Sequence, residues 1–335
     1  MERQVLLAHG GGGSLMGELI REVFHSRFND PILAAADDSA NLGALPGRAA
    51  FTTDAFVVDP IFFPGGDIGK LAVCGTVNDL AAQGAEPLFL SAAFVLEEGL
   101  PLADLERVVE SMTSAAAEAR VRIVAGDTKV VPRGKADKLF IATSGVGRIA
   151  DGVSVSGSGV KPGDVLILTG PIGDHGIAVM LAREQMGFAA EVESDCAPLW
   201  DLVSTACFAG ADLHAMRDPT RGGLAAAANE IARQSGVALE LDEDSIPVRD
   251  SVRVACELLG LDPLYVANEG KMLLAVAPDS AEAVLSSLRK HPLGAQAAAI
   301  GRALSGPSGR VVLRTSLGTT RIIDLPPGEQ LPRIC

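Results

Sequence analysis

Many of the signatures that would assign this 335-residue chain directly are absent from it. It has no GxxxxGK[ST] phosphate loop, no GxGxxG opening a helix after a strand, no GxSxG nucleophile elbow and no HExxH helix. Those absences exclude P-loop, dinucleotide-fingerprint, α/β-hydrolase and zincin chemistry. The five cysteines, at 74, 196, 207, 256 and 335, are odd in number and contain no CxxC pair, so neither a disulfide framework nor a structural zinc site is expected. No run approaches the ~20 apolar residues of a spanning helix. The start, Met1-Glu2-Arg3-Gln4-Val5, lacks the basic segment and long apolar core of a secretion signal, so a cytoplasmic location is expected. Positive charge is scarce too: 28 Lys and Arg against 42 Asp and Glu leave a net charge of −14. Such a surface repels phosphate backbones and anionic lipid, which makes nucleic acid and membranes poor partners. Acidic residues gathered in a site would instead suit divalent cations.

The chain has ample apolar material, 48% of its residues, and enough length for two cores. Residues 4–8 read as a strand, followed by Gly10, Gly11, Gly12 and Gly13. Leu15, Leu19, Ile20, Val23 and Phe24 then recur at helical spacing and predict a helix over 15–28. Apolar runs at 55–58 and 88–95 predict buried strands on either side of a helix at 71–83. A helix over 101–120, with proline at its start, leads to strands at 121–125 and 139–149. The serine- and glycine-rich stretch 154–164 reads as a linker. Beyond it, strands are predicted at 165–169, 237–241, 264–267, 272–277, 310–314 and 320–323, and helices at 175–186, 198–209, 223–234 and 281–290. The expected organisation is therefore two α/β units, 1–155 and 156–324, and a tail over 325–335. Pro326, Pro327, Gly328 and Pro332 leave that tail unable to form a helix or a central strand. Extended at ~3 Å per residue, its last ten residues could reach roughly 30 Å, a tether ending in a cysteine.

Chemistry is suggested by carboxylates at strand ends and in loops. Asp37, Asp38, Asp54, Asp79 and Asp127 could converge on one or two Mg2+ ions that hold nucleotide phosphates. Any one of them taken alone reads more readily as the cap of a helix or a turn. The bare N–H groups of the glycine run could approach phosphate oxygens. The five histidines show no metal-ligand spacing, although His9 and His175 sit in glycine-flanked loops. A terminal Cys335 on a flexible tail could act as a nucleophile that travels between sites.

A series of motifs carries a family resemblance. His9-Gly10-Gly11-Gly12-Gly13, Asp37-Asp38, Thr53-Asp54, Thr76-Val77-Asn78-Asp79-Leu80-Ala81 and Gly126-Asp127-Thr128-Lys129 occur in order. Gly173-Asp174-His175-Gly176, Asp218-Pro219-Thr220-Arg221-Gly222-Gly223, Asn268-Glu269-Gly270 and the terminal Pro332-Arg333-Ile334-Cys335 follow. The series resembles the aminoimidazole ribonucleotide synthetase-like (PurM-like) superfamily. With its terminal motif it is similar to the HypE family of hydrogenase maturation factors, which are carbamoyl dehydratases. Gly11-Gly12 departs from the serine expected in the glycine loop.

The resemblance implies a two-domain PurM-like α/β (α+β) fold, a homodimer formed through the N-terminal sheet, and ATP bound near the dimer interface. It implies Mg2+ held by Asp37, Asp54, Asp79 and Asp127, and nucleotide contacts from His9, Gly10, Gly11, Gly12, Gly13, Asp38, Asn78 and Thr128. The implied reaction is ATP-dependent dehydration of a thiocarbamate on Cys335 to a thiocyanate. Lys129 and Glu269 are the implied proton-transfer residues, with Asn268 and His175 as second choices. The partners implied are a carbamoyltransferase, HypF, and an iron scaffold of HypC and HypD. The competing expectations are another ATP-using PurM-like enzyme, such as a selenophosphate synthase or thiamine-phosphate kinase, and a non-catalytic nucleotide-binding scaffold.

Overall fold

Strands with apolar inward positions assemble into two main sheets. The computed structural model describes residues 3–11, 13–45, 47–184, 192–208, 211–325, 331 and 333–335. The first sheet comprises β1 (Ala49–Phe56), β4 (Ala85–Glu97), β5 (Arg122–Val131) and β6 (Leu139–Ile149), ordered β1-β6-β4-β5. Its pairs are antiparallel apart from the parallel β4–β5. A short ribbon, β2 (Phe62–Phe63) with β3 (Gly66–Asp67), precedes the first long helix.

The N-terminal rod is made of α1 (Ser14–Leu19), a π-helical segment (Ile20–His25) and α2 (Ser26–Phe28); the short α3 (Pro31–Ala34) packs on β5. Helices α4 (Ile68–Ala82) and α5 (Leu102–Glu118) cover one face of the sheet. Asp67 starts α4 by accepting hydrogen bonds from the Gly69 and Lys70 amides at 2.7 and 3.0 Å. Two glycines let α4 sink in. A Cβ on Gly69 would lie 2.3 Å from the Val108 carbonyl of α5, and one on Gly75 would lie 2.7 Å from the Phe56 ring of β1. The helix therefore carries Asn78 and Asp79 close against the sheet. The other face of the sheet is open, with Phe51, Val146 and Phe89 in register across three strands and Phe51 70% exposed.

The second sheet runs β13-β12-β9-β11-β7-β10-β8. It is built from β7 (Val165–Leu168), β8 (Leu213–Arg217), β9 (Ala238–Asp242), β10 (Leu273–Val276), β11 (Ala298–Leu304), β12 (Val311–Arg314) and β13 (Thr320–Ile322). Helices α6 (Asp174–Glu184), α7 (Trp200–Cys207), α8 (Gly223–Ser235), α9 (Asp250–Leu259) and α10 (Pro278–Leu288) accompany it. Alternation splits the central strands between two cores. Leu166, Leu168, Leu273 and Ala275 pack on the α8 side, while Ile167, Leu274 and Val276 pack with α7 and α10.

Several local expectations need correcting. In the predicted strand 4–8, Gln4 makes one bridge to Pro101 and Leu7–Gly10 is a 3-10 turn. The predicted strand at 264–267 is a 3-10 turn, Pro263–Tyr265, because Asp262 accepts from the Leu264 amide at 3.0 Å and proline follows at the first helical position. Strands β8 and β11 and helix α9 had not been anticipated. The 154–164 stretch contains neither helix nor strand, yet Gln83 donates to the Val155 carbonyl at 2.8 Å and the Ser156 amide to His214 at 3.0 Å. No helix among the described residues is long and apolar enough to cross a membrane.

Candidate active site

The chain terminus returns to a cavity between the two sheets. The cavity is lined by Asp54, Phe56 and Gly75 from the first unit, Asp218, Arg221 and Glu269 from the second, Asp79 of α4, and Cys335 itself. Ile334, 2% exposed, and Leu331 are buried in the core cluster shared with Ile177 and Val266. The Ile334 carbonyl accepts from His175 Nε2 at 2.9 Å. The Arg333 carbonyl accepts from the Asp59 amide at 3.2 Å and from Arg183 Nη2 at 2.7 Å. The predicted tether is thus docked at its tip.

Each lining group is held by local structure. Asp54 faces α4 from β1, and Thr52, two residues earlier on the same face, donates to Asp79 Oδ2 at 2.7 Å. The turn after β8 carries Asp218 and Arg221. It closes by the Gly223 amide bonding to Thr220 at 2.8 Å, and a Cβ on Gly223 (φ +62) would lie 2.6 Å from two carbonyl oxygens. Glu269 is fixed by its backbone: its amide donates to Asp195 Oδ1 at 3.0 Å and its carbonyl accepts from Asn78 Nδ2 at 3.1 Å. Asp195 also takes Lys271 Nζ at 3.0 Å, a buried ion pair beneath the Glu269 loop.

The cavity crowds acidic groups into a low-dielectric space. Burial pushes the Glu269 carboxyl well above its ordinary range, and the nearby Cys196, Asp218 and Asp195 add to the effect. Burial and then the Asp79 charge push Asp218 up to about 7. Asp79 is raised by burial and Asp54, opposed by the Thr52 hydrogen bond and Arg217. The Cys335 thiol is pushed well up by burial and by the Glu269 carboxyl that shares its cavity. Glu269 Oε1 has no hydrogen-bond partner among the described residues, a costly state for a buried acceptor outside a reaction site.

The structure divides the predicted magnesium set. Asp54 and Asp79 lie together in the cavity. Asp127 aligns through Ala93 and Ala142 with Ala55, one residue past Asp54, so its side chain leaves the opposite, open face. It is also three strands away, about 14 Å at the usual spacing of ~4.8 Å. Within one protomer, therefore, the four aspartates do not converge. Lys129 shares that outer face, 62% exposed and paired with Asp127 at 2.7 Å, and so stands apart from Cys335 and Glu269. Asp37 and Asp38 are exposed beyond α3, on the β5 side. Gly10 lies against β5, where a Cβ would sit 2.9 Å from the Val130 amide. His9 uses Nδ1 to accept from the Leu6 amide at 2.9 Å. Gly11 and Gly13 are exposed in the same loop, and Gly12 lies outside the described residues, as do Pro332 and 326–330. Thr128 is buried and lines a separate cavity with Ile20, Phe24 and Phe28.

Three predicted site residues act through the backbone. Asn78 donates to the Ala197 and Glu269 carbonyls at 3.0 and 3.1 Å and accepts from the Leu199 amide at 2.8 Å, so its amide faces protein in place of a ligand. Asn268 donates to Pro219 and Val266 at 2.9 and 3.0 Å and accepts from Gly173 at 2.7 Å. His175 is held neutral by burial; with Nε2 donating to Ile334, its Nδ1 is left to accept from Ser194 Oγ at 2.8 Å, so it docks the tail and is not placed to take a substrate proton. Asp218 and Arg221 had not been chosen as site residues, although their motif and its glycine pair marked the turn. Asp195, Arg183, Asp59 and Asp137 carry no motif and had no sequence signal.

A cation fits here only as a guest completed by other ligands. Asp54, Asp79 and Asp218 offer hard oxygens, yet no three acidic, histidine or cysteine side chains among the described residues close into a cage. That is the pattern for Mg2+, which commonly takes one or two carboxylates plus phosphate and water.

The fold and paired domains define an AIR synthase related protein: the N-terminal domain profile matches residues 36–149 and the C-terminal domain profile residues 161–314. A carbamoyl dehydratase HypE from Rhizobium leguminosarum bv. viciae is 52% identical over 330 residues, covering 98% of this chain and 94% of the relative. A crystal structure of hydrogenase maturation protein HypE in complex with ATP superposes with TM-score 0.95 at 50% identity, covering 98% and 99% of the two chains. A HypE–HypF complex matches with TM-score 0.81 at 49% identity, covering 92% and 99%. A thiamine-monophosphate kinase from Stenotrophomonas maltophilia, 21% identical with TM-score 0.65, shares the fold alone. The chain belongs to the HypE family of carbamoyl dehydratases.

Proposed function

We propose that this chain uses ATP to dehydrate a carbamoyl group carried on Cys335, giving a thiocyanate that supplies cyanide for the iron of a [NiFe]-hydrogenase. The observation that carries this reading is the seat of the terminal thiol, which shares one cavity with the buried Glu269 carboxyl and with Asp54, Asp79 and Asp218. The carboxamide oxygen attacks the γ-phosphorus, ADP leaves, the nitrogen sheds its protons, and the C–O bond breaks with phosphate as leaving group. The balance is Cys335–S–C(O)NH2 plus ATP to Cys335–S–C≡N, ADP and phosphate. Phosphorylation converts a poor oxygen leaving group into a good one. Glu269, once ionised, is the favoured acceptor for an amide proton, because burial raises its proton affinity. Mg2+ held by Asp54 and Asp79, with Asp218 beside them, would neutralise the triphosphate and the charge developing on it.

The open face of the first sheet supports dimerisation. In a two-fold pair that sets β1 of one copy against β5 of the other, Asp127 and Lys129 of one protomer meet Asp54 and Asp79 of its partner, and ATP lies near that interface. Asp37, Asp38, Thr128 and the His9–glycine loop then serve the nucleotide from the β5 side. The division of labour follows the units 1–155, 156–324 and the tail 325–335, in a cytoplasmic enzyme. Because the docked thiol is protonated and half-buried in the cavity, a HypF-type carbamoyltransferase loads the tail while it is undocked, and a HypC–HypD scaffold receives the nitrile. Incubation with the carbamoyltransferase and MgATP, followed by intact-mass measurement, tests the reading. The carbamoylated chain should lose the mass of one water, Cys335→Ala should bind ATP and form no adduct, and a carbamoyl adduct stable to MgATP would refute it.

A further inference from the structure

The docked terminus is gripped outside the cavity by groups that touch no reacting atom. Arg333 Nη1 donates to Asp137 Oδ2 at 2.9 Å, with Asp59 Oδ2 at 3.7 Å. Arg183 donates from Nε to the Asp59 carbonyl at 2.8 Å and from Nη2 to the Arg333 carbonyl at 2.7 Å, tying α6 to the loop after β1 and to the tail together. Asp137 comes from the β5–β6 connection, so three separate elements converge on one residue. Arg333 has φ +55, the left-handed region that a non-glycine residue holds only while its surroundings enforce it.

We propose that Asp137, Asp59 and Arg183 form a latch that reads Arg333 and sets the fraction of time Cys335 spends docked, so that loading and dehydration draw on opposite sides of one equilibrium. The inference rests on the docking half of the proposed function. Its chemistry suits a contact that opens every cycle. The Arg333 and Asp137 side chains are 45% and 39% exposed, so their attraction is modest and screened by salt, unlike the buried hold of Ile334. The backbone grip of Arg183 is the stronger half. Since a group available only when undocked reacts in proportion to the undocked population, weakening the latch speeds loading and slows dehydration of the loaded chain. Asp137, Asp59 and Arg183 are thus positioning residues.

The test uses the full-length chain without nucleotide, reading iodoacetamide alkylation of Cys335 by peptide mass. Asp137→Asn should raise the rate about two- to fivefold, the range for an exposed ion pair. Arg183→Ala, which loses two backbone hydrogen bonds, should raise it about tenfold or more. High salt should accelerate the wild type more than Asp137→Asn, in which only the longer Asp59 pair remains to be screened. Arg333→Gln and the double variant with Asp137→Asn should alkylate equally fast, because losing the guanidinium already removes the Asp137 pair. Carbamoyl loading should quicken in the same variants while conversion of the loaded chain slows. Alkylation and loading rates unchanged in Asp137→Asn, a surface change that spares the core, would overturn the latch. A chain that keeps its carbamoyl mass with MgATP while these alkylation responses hold would instead refute the dehydratase reading and leave the latch standing.

Discussion

Replacing Asn78 by alanine separates a structural brace from a nucleotide contact. The Asn78 side chain satisfies three backbone groups, the Ala197 and Glu269 carbonyls and the Leu199 amide, in a site 1% exposed. An orphaned buried group costs about 1–3 kcal/mol, and water entering the vacated space favours the low end, giving about 3 kcal/mol in all. At about 2.1 cal/mol/K of unfolding entropy per residue, 335 residues give ~0.7 kcal/mol/K, so the melting temperature should fall by about 4 °C. Scanning calorimetry measures that fall, and titration with a non-hydrolysable ATP analogue measures nucleotide affinity on the same protein. Dehydration should slow as well, because Glu269 loses the bond on its carbonyl. An unchanged melting temperature with a tenfold loss of nucleotide affinity would refute the brace and return Asn78 to the ligand.

Asp218, raised to about 7 from an ordinary 3.8, binds a proton in the folded chain that the unfolded chain releases. The Asp218 contribution to the stability of the nucleotide-free protein should therefore be present at pH 4 and be lost as pH rises towards 7. MgATP affinity should climb over the upper part of that range as the carboxyl ionises. Asp218→Asn should flatten both profiles, and an affinity profile unchanged in the variant would remove Asp218 from the cation site. Asp79→Asn and Asp127→Asn should each weaken MgATP binding, and mixing the two inactive dimers should restore about a quarter of wild-type activity, since half the dimers are mixed and each carries one intact site. No recovery on mixing, with subunit exchange verified, would place both aspartates in a single protomer's site. Glu269→Gln should slow conversion of the loaded chain while leaving loading intact; slowing confined to loading would assign it to docking alone.

Much of the scaffold could be read from the chain. The helix at 71–83 and the strands at 139–149 and 165–169 follow from apolar spacing that tertiary contacts reinforce. Where packing outweighed pattern, the reading failed. At 264–267 an Asp262 cap and Pro263 redirect an apolar run into a turn. Strand β8, Leu213–Arg217, carries a histidine and ends in an arginine although four of its five residues are buried, so its pattern does not mark it as an interior strand. Its His214 is buried because Asp164 accepts its Nδ1–H at 2.6 Å.

The site divides along the same line. Glycine runs, paired aspartates and a terminal cysteine identify chemistry because they are residue types that backbone-driven folding does not require at those positions. Their grouping depends on strand register and on which face of a sheet each side chain leaves, a choice that changes with a one-residue shift. Asp54 and Asp127 look equivalent along the chain and end on opposite faces, three strands apart. Asp195, Arg183 and Asp137 have no local signature at all, because their partners lie 74, 150 and 196 residues away. The residue types gave the reaction its ingredients, and the packing of the two units determined which of them meet at Cys335.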